Sequence, residues 1–357
     1  MVNFMGARIA IFGAAAAAIG TSMVWAAEPA SPPLPGKVEI YKDWAIGCDN
    51  VRRCEAVSLW PQDGAAGETS LMTGILRDAG PGGATTVWFR HDEDKTSGKL
   101  AVLIDGRVVA STVAKKAEIA FRGPQASALA IGMARGNRMS VQLNGRTLGE
   151  ISLSGSAAAL RYMDAKQERA GTITALVATG PLGVNTVRAA AILPIVTSAP
   201  AMAETKLPGL WREELGRALK ISDCDGESDG SQEASLYPLS KSRSLVLVPC
   251  GAGAYNFSSV PLIATGSPGR RDFEIAKFDY PPGFTENAGQ PMLVNAGFDV
   301  KTMALSSFAK GRGIGDCGDA ETYVWDGSMF RMTEARMMGE CRGAWKWITV
   351  WRASVRR

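Results

Sequence analysis

From residue 38 onward the chain is written in short apolar runs that alternate with polar positions and are cut by Gly, Asp, Asn and Pro. A period of two between turn residues is the pattern of half-buried strands. Strands are predicted at 38–48, 53–60, 70–77, 85–90 and 100–109, the last with Asp105-Gly106 as a turn. The clearest hairpin joins 139–143 to 147–151 around Asn144-Gly145, two residues suited to the tight turn between adjacent strands. After Ser154 the period changes, and Ala157, Leu160, Tyr162 and Met163 predict one short helix to residue 167, capped by Ser154 or Ser156. Residues 194–208 read as a linker, followed after Pro208 by an amphipathic helix carrying Leu210, Trp211, Leu215, Ala218 and Leu219. Further strands are predicted at 243–250, 259–264, 273–278, 292–294, 301–308, 321–325, 329–334 and 346–352. The expected fold is mainly β: two β-rich domains, sandwich or barrel-like, at 38–193 and 209–357, with a few short helices.

The first 26 residues follow a different grammar. Arg8 precedes an alanine-rich apolar run that ends at Val24-Trp25-Ala26, the small-residue pattern of a cleaved signal peptide. The run falls short of the ~20 apolar residues of a membrane span, and no second stretch is long enough. Residues 27–37 are a proline-rich tether. The protein is expected in the periplasm or secreted, with no membrane span after cleavage.

Export changes the reading of the six cysteines, Cys48, Cys54, Cys224, Cys250, Cys317 and Cys341. In an oxidising compartment an even set forms disulfides. Fifteen pairings are open to six cysteines, of which pairing each with its neighbour is the simplest. Zinc is the alternative, but the spacings and the lack of nearby histidines match no finger or ribbon. On the neighbour pairing, Cys317 and Cys341 staple a hairpin turning at Asp326-Gly327.

The net charge of +4 is scattered. Nucleic-acid binding needs a continuous basic patch, and Arg352, Arg356 and Arg357 read as a solvated tail. No nucleic acid and no cofactor are expected.

Several separated motifs occur in order: Trp44-Ala45-Ile46-Gly47-Cys48-Asp49-Asn50 with Arg53-Cys54, then 245–250 with Gly253 to Asn256, then 310–318, Trp325-Asp326-Gly327 and 339–343. Together they resemble the exported bacterial family known as domain of unknown function 1176, over nearly the whole chain after the first segment. The opening Asp43-Trp44 to Cys48 and the run Ile151-Ser152-Leu153-Ser154-Gly155 also resemble the invasion-associated locus B proteins. The resemblance implies a periplasmic or secreted place and supplies no catalytic residues.

The chemistry-bearing residues are few. His91, the one histidine, lies in a charged run that reads as a solvated loop. Without a second histidine, the common Ser-His and multi-histidine zinc designs have no source. Ser307-Phe308-Ala309-Lys310 matches Ser-x-x-Lys by chance, since a glycine-rich turn follows it. Asp223, Asp225, Glu227 and Asp229 form a weak calcium candidate lacking the loop glycine and the final glutamate. Gly311 to Gly315 lacks the ending of a phosphate loop, and its glycines are expected to take positive φ beside Cys317. Arg312 and Arg342 are candidates for an anion site on the stapled end. Trp345, Trp347 and Trp351 would share one face of a strand, as an aromatic platform or as core. The expected function is a non-enzymatic binding or envelope-associated module presenting this last hairpin to an envelope protein or wall polymer. An envelope glycan-acting enzyme with paired carboxylates and an inhibitor of a wall hydrolase are the alternatives.

Overall fold

One antiparallel sheet is buried on both faces, and the rest of the chain is arranged around it. The computed structural model describes residues 1–2, 32–62, 70–91, 97–224, 233–284 and 290–357. The expected signal peptide, and Asp225, Glu227 and Asp229 of the calcium candidate, lie outside the described residues. Residues Pro33–Arg357 make up one compact unit.

In its first half, β1 (Val38–Tyr41), β2 (Trp44–Cys48), β3 (Cys54–Ser58), β4 (Met72–Arg77), β5 (Thr85–Arg90), β6 (Gly98–Ile104), β7 (Arg107–Ala114) and β8 (Glu118–Arg122) precede α1 (Gly123–Arg135), β9 (Arg138–Leu143), β10 (Arg146–Ser152) and α2 (Ser156–Lys166). In the second half, β11 (Ile195–Thr197) and α3 (Arg212–Ser222) lead to β12 (Ser235–Pro238), β13 (Arg243–Ala252), β14 (Phe257–Thr265), β15 (Asp272–Ile275), β16 (Leu293–Val294), β17 (Gly297–Asp299), β18 (Ala304–Lys310), β19 (Gly318–Trp325), β20 (Phe330–Met338), β21 (Ile348–Arg352) and β22 (Ser354–Arg356). Strands hold 43% of the described residues against 13% for helices, so the fold is mainly β as expected.

The central sheet runs β1-β2-β3-β4-β5-β8. Successive strand side chains point to opposite faces. Trp44, Ile46, Ala56, Ile75, Val87 and Phe89 therefore enter a first core, closed by the sheet β10-β9-β6-β7 and by α1 and α2. Ala45, Val57, Met72 and Trp88 enter a second core with Leu245, Leu305, Tyr323, Ile348 and Trp351 of the C-terminal sheets β12-β13-β14-β15 and β17-β18-β19-β20-β21. A third core under α3 joins Ala218 to Val246, Val248, Val260 and Leu262.

The hairpin at Asn144-Gly145 forms as expected, with φ of 51° and 83° at the two turn residues. Helix α1 has no counterpart in the sequence prediction, although Pro124 opens it and its buried Ala126, Leu129, Ala130 and Met133 follow the helical spacing. Helix α2 is capped by neither Ser154 nor Ser156 but by Gly155 between them, in the left-handed region. The Ser156 hydroxyl instead donates to the carbonyls of Leu153 and Met133. Helix α3 buries Glu214, Ala218 and Ser222, while Trp211 and Leu215 of the predicted apolar stripe are exposed. Its anchor is an ion pair of Glu214 with Arg271 at 3.0 Å.

The three disulfides are Cys48–Cys54, Cys224–Cys250 and Cys317–Cys341. Replacing Cys317 and Cys341 together by Ala is expected to cost about 3 kcal/mol on the chain-entropy estimate. A urea titration measures it, and a loss below about 1 kcal/mol would show that side-chain contacts alone close this loop.

Two segments read as loose are stitched down. Within 194–208, β11 pairs in parallel with β22, and the Met202 N–H donates to the Val300 carbonyl. In the expected solvated tail, Arg352 forms an ion pair with Asp49 at 2.5 Å, and the Asn50 amide brackets the Arg352 backbone N–H and carbonyl.

Candidate functional site

An open cavity lies where two sheets end. Among the described residues β12 is the outermost strand of its sheet and β17 the outermost strand of the other, so each has a strand neighbour on one side only. Between them, with residues 204–206, is an open cavity of about 550 Å³, within the ~300–1,000 Å³ range of ligand sites. Its floor is the ring pair Tyr237–Phe298, 5.6 Å apart, with Leu236, Pro238 and Val300 beside it. Its rim carries Glu204 and Lys206 on one wall and Asp299 and Lys301 on the other. Lys301 and Glu204 approach to 3.8 Å but are 75% and 79% exposed, so that pair is worth little. The Asp299 carboxylate sits below its ordinary range because the Thr302 hydroxyl and the Lys301 N–H donate to it, each at 2.8 Å.

A second unusual feature lies two strands inward. Asp319, Glu321 and Tyr323 alternate along β19 and share one face. Opposite them on β18 are Ala309, Ser307 and Leu305. The Gly283 N–H donates to Glu321 Oε1 at 2.9 Å, and Ser307 holds the Val294 N–H at 3.1 Å. Asp319 Oδ2, Glu321 Oε2 and the Tyr323 hydroxyl on this face are buried and have no hydrogen-bond partner. A proton shared between the two carboxyls would satisfy both oxygens. Burial, then the Asp319 charge, pushes Glu321 up to about 8. Burial also raises Asp319, and raises Tyr323 with help from the Glu321 and Asp279 charges.

The residues singled out in the sequence are mostly spent on structure. Trp347 and Trp351 are 5% and 8% exposed in the second core, and Trp347 stacks on Phe308 at 4.6 Å. The strand expected at 346–352 begins only at Ile348, so Trp345 and Trp347 precede it and no three-ring face forms. Arg312 binds Asp316 through two hydrogen bonds, at 2.7 and 2.5 Å, with its guanidinium over the Trp60 ring. Burial pushes Asp316 up, but the Arg312 guanidinium and the Gly343 N–H outweigh it and hold the carboxyl low. Arg342 donates to the carbonyls of Trp60 and Lys42 and pairs with Asp43 at 2.5 Å. The two arginines are thus committed to carboxylates and carbonyls rather than to an anion. A side chain on Gly343 would run into the Trp60 ring, 2.2 Å from the Cβ position.

His91 is buried, not solvated. Ser307 is buried and Lys310 lies three residues on, which in a strand is the opposite face, with its ammonium 5.8 Å above the Tyr255 ring. Of the 311–315 glycines, only Gly315 has positive φ, at 72°. Gly311 is small for another reason: a Cβ there would meet Cys317 Sγ at 2.6 Å. Among the described residues no group of three or more His, Cys, Asp or Glu is placed to hold a metal ion.

The groove was missed because 204–206, 236–238 and 298–301 are distant in sequence and carry no local motif. The carboxyl pair did leave a signal, acidic residues two apart running into a predicted strand.

Comparison with known proteins agrees with the motif reading. The family described as "Protein of unknown function (DUF1176)" matches residues 38–354. The chain belongs to this family. It is 26% identical over 358 residues to the uncharacterized protein YpfG of Escherichia coli (strain K12), covering 94% of this chain and 96% of that one. No solved structure matches it. Some of the motifs that carry the family likeness meet across the two halves: Asp49 and Asn50 on Arg352, and Arg342 on Asp43 and Trp60.

Proposed function

We propose that this protein is an exported, non-enzymatic binding module of the cell envelope, and that its ligand site is the groove between β12 and β17. The three disulfides fit an oxidising, non-cytoplasmic compartment. Among the described residues no helix is long and apolar enough to cross a membrane. The groove carries the reading, because it joins a ligand-sized volume to an aromatic floor and a charged rim on rigid strands. The groove replaces the last hairpin as the binding surface, since two of that hairpin's three tryptophans are core.

The glycan-acting alternative draws support from Asp319 and Glu321, which do form a pair. Glycosidases hold their two carboxyls ~5–10 Å apart around the scissile bond. Here Glu321 is 1% exposed, so a sugar has no access to it.

The test is photocrosslinking in living cells from a benzophenone side chain placed at Lys206 in the groove or at exposed Lys116 as control. A specific adduct, to protein or to wall polymer, is expected from position 206 alone and is lost when Tyr237 and Phe298 are both Ala. Adducts unaffected by that change, or none from the groove, would remove the groove as the ligand site.

A further inference from the structure

We propose that the ligand of this groove is an extended polypeptide, added as a strand against the free edge of β17, an inference that rests on the groove-binding reading above. The argument begins with the backbone. Among the described residues β17 (Gly297–Asp299) pairs only with β18, in the register Phe298 to Leu305, and just beyond it the Val300 carbonyl already accepts from the Met202 N–H, so the edge left to a further strand is that of β17 itself. An edge of this kind recognises a main chain, whose amides supply both donors and acceptors at the strand repeat. The opposing edge, β12, is blunted by Pro238, which has no N–H to offer. The incoming chain is therefore held on the β17 side.

Side chains then set what kind of polypeptide fits. A strand on β17 places alternate residues over the Tyr237–Phe298 floor, which takes an apolar or aromatic residue. Each wall presents one acid and one base two residues apart, Glu204 with Lys206 and Asp299 with Lys301. The walls approach each other at Glu204 and Lys301, 3.8 Å apart. The groove is thus neutral overall with both signs on each wall, which suits a segment with charges of both signs flanking an apolar centre. A uniformly anionic wall polymer would meet as many carboxylates as ammonium groups.

The probe is an acetylated, amidated octapeptide pool with Leu, Phe or Tyr at its centre and Lys and Glu two positions to either side, titrated into the oxidised full-length protein. Hydrogen exchange is followed at 235–238 and 297–299. Binding is expected to slow exchange of amides at 297–299 at least tenfold. The same pool N-methylated at alternate residues, which removes the N–H groups needed for strand pairing, is expected to bind at least tenfold more weakly. Phe298→Ala, with a thermal midpoint within a few degrees of wild type, is expected to weaken the unmodified pool at least tenfold.

Equal binding of the N-methylated pool would overturn strand addition. Wall glycan fragments that protect the groove amides where the peptides do not would overturn the polypeptide class and leave the groove-binding reading standing. No protection by peptide or glycan, together with absent crosslinks from position 206, would remove both.

Discussion

Raising the pH from 6 to 9 lowers the thermal midpoint of the wild-type protein by about 3–4 °C, and Glu321→Gln removes most of that loss. Glu321 titrates near 4.5 in the unfolded chain and near 8 in the folded protein, because burial and the Asp319 carboxyl disfavour its charged form. A raised carboxyl binds more protons folded than unfolded. The stability it contributes is therefore complete below pH 4.5, falls as the pH rises towards 8, and is lost above it. Between pH 6 and 9 the loss comes to about 2–3 kcal/mol at 1.36 kcal/mol per unit. Other groups also titrate in this range, so the informative quantity is the difference between wild type and Glu321→Gln at each pH. The amide donates to Asp319 without titrating, and its midpoint is expected to vary far less. Parallel pH profiles for the two proteins would show that the pair does not share a proton.

Arg342→Ala destabilises the protein by roughly 3 kcal/mol or more, one of the largest single-residue effects expected here. The guanidinium is 15% exposed and its partner Asp43 10%. It satisfies the carbonyls of Trp60 and Lys42 as well as the carboxylate. Removing it leaves a mostly buried Asp43 without its cation and at least two carbonyls without donors. Lysine does not restore these bonds, since one ammonium cannot span three acceptors set in a plane. A double-mutant cycle with Asp43→Ala, measured by urea unfolding, is expected to give a coupling energy of about 2 kcal/mol. Additivity within ~0.5 kcal/mol would mean that the hydrogen bonds to carbonyls, and not the ion pair, hold the seam.

The contrast between these two residues shows what could be seen in advance. Arg342 stood out in the sequence beside a cysteine and a glycine, and its charge suggested an anion. The carbonyls of Lys42 and Trp60 that occupy it are some three hundred residues away, and no local pattern announces them. Glu321 drew no attention because a single acidic residue in a strand is ordinarily solvated. Its position under the 3-10 turn Pro282–Phe284 makes it unusual, and that turn covers it only in the folded chain.

By itself the sequence determined the strand-rich character, the Asn144-Gly145 hairpin, helix α3 and the family, and it favoured the disulfide pairing now observed. These follow from turn chemistry, side-chain alternation and short loop closure, interactions whose partners are near in the chain. The tertiary structure decided which faces are buried. Only packing of the C-terminal sheets on the central sheet's second face turned Trp347 and Trp351 into core, paired Arg352 with Asp49, and brought 204–206, 236–238 and 298–301 around one groove. Such contacts join residues far apart in the chain, and they come from burying apolar area that a strand's own pattern leaves open on either side.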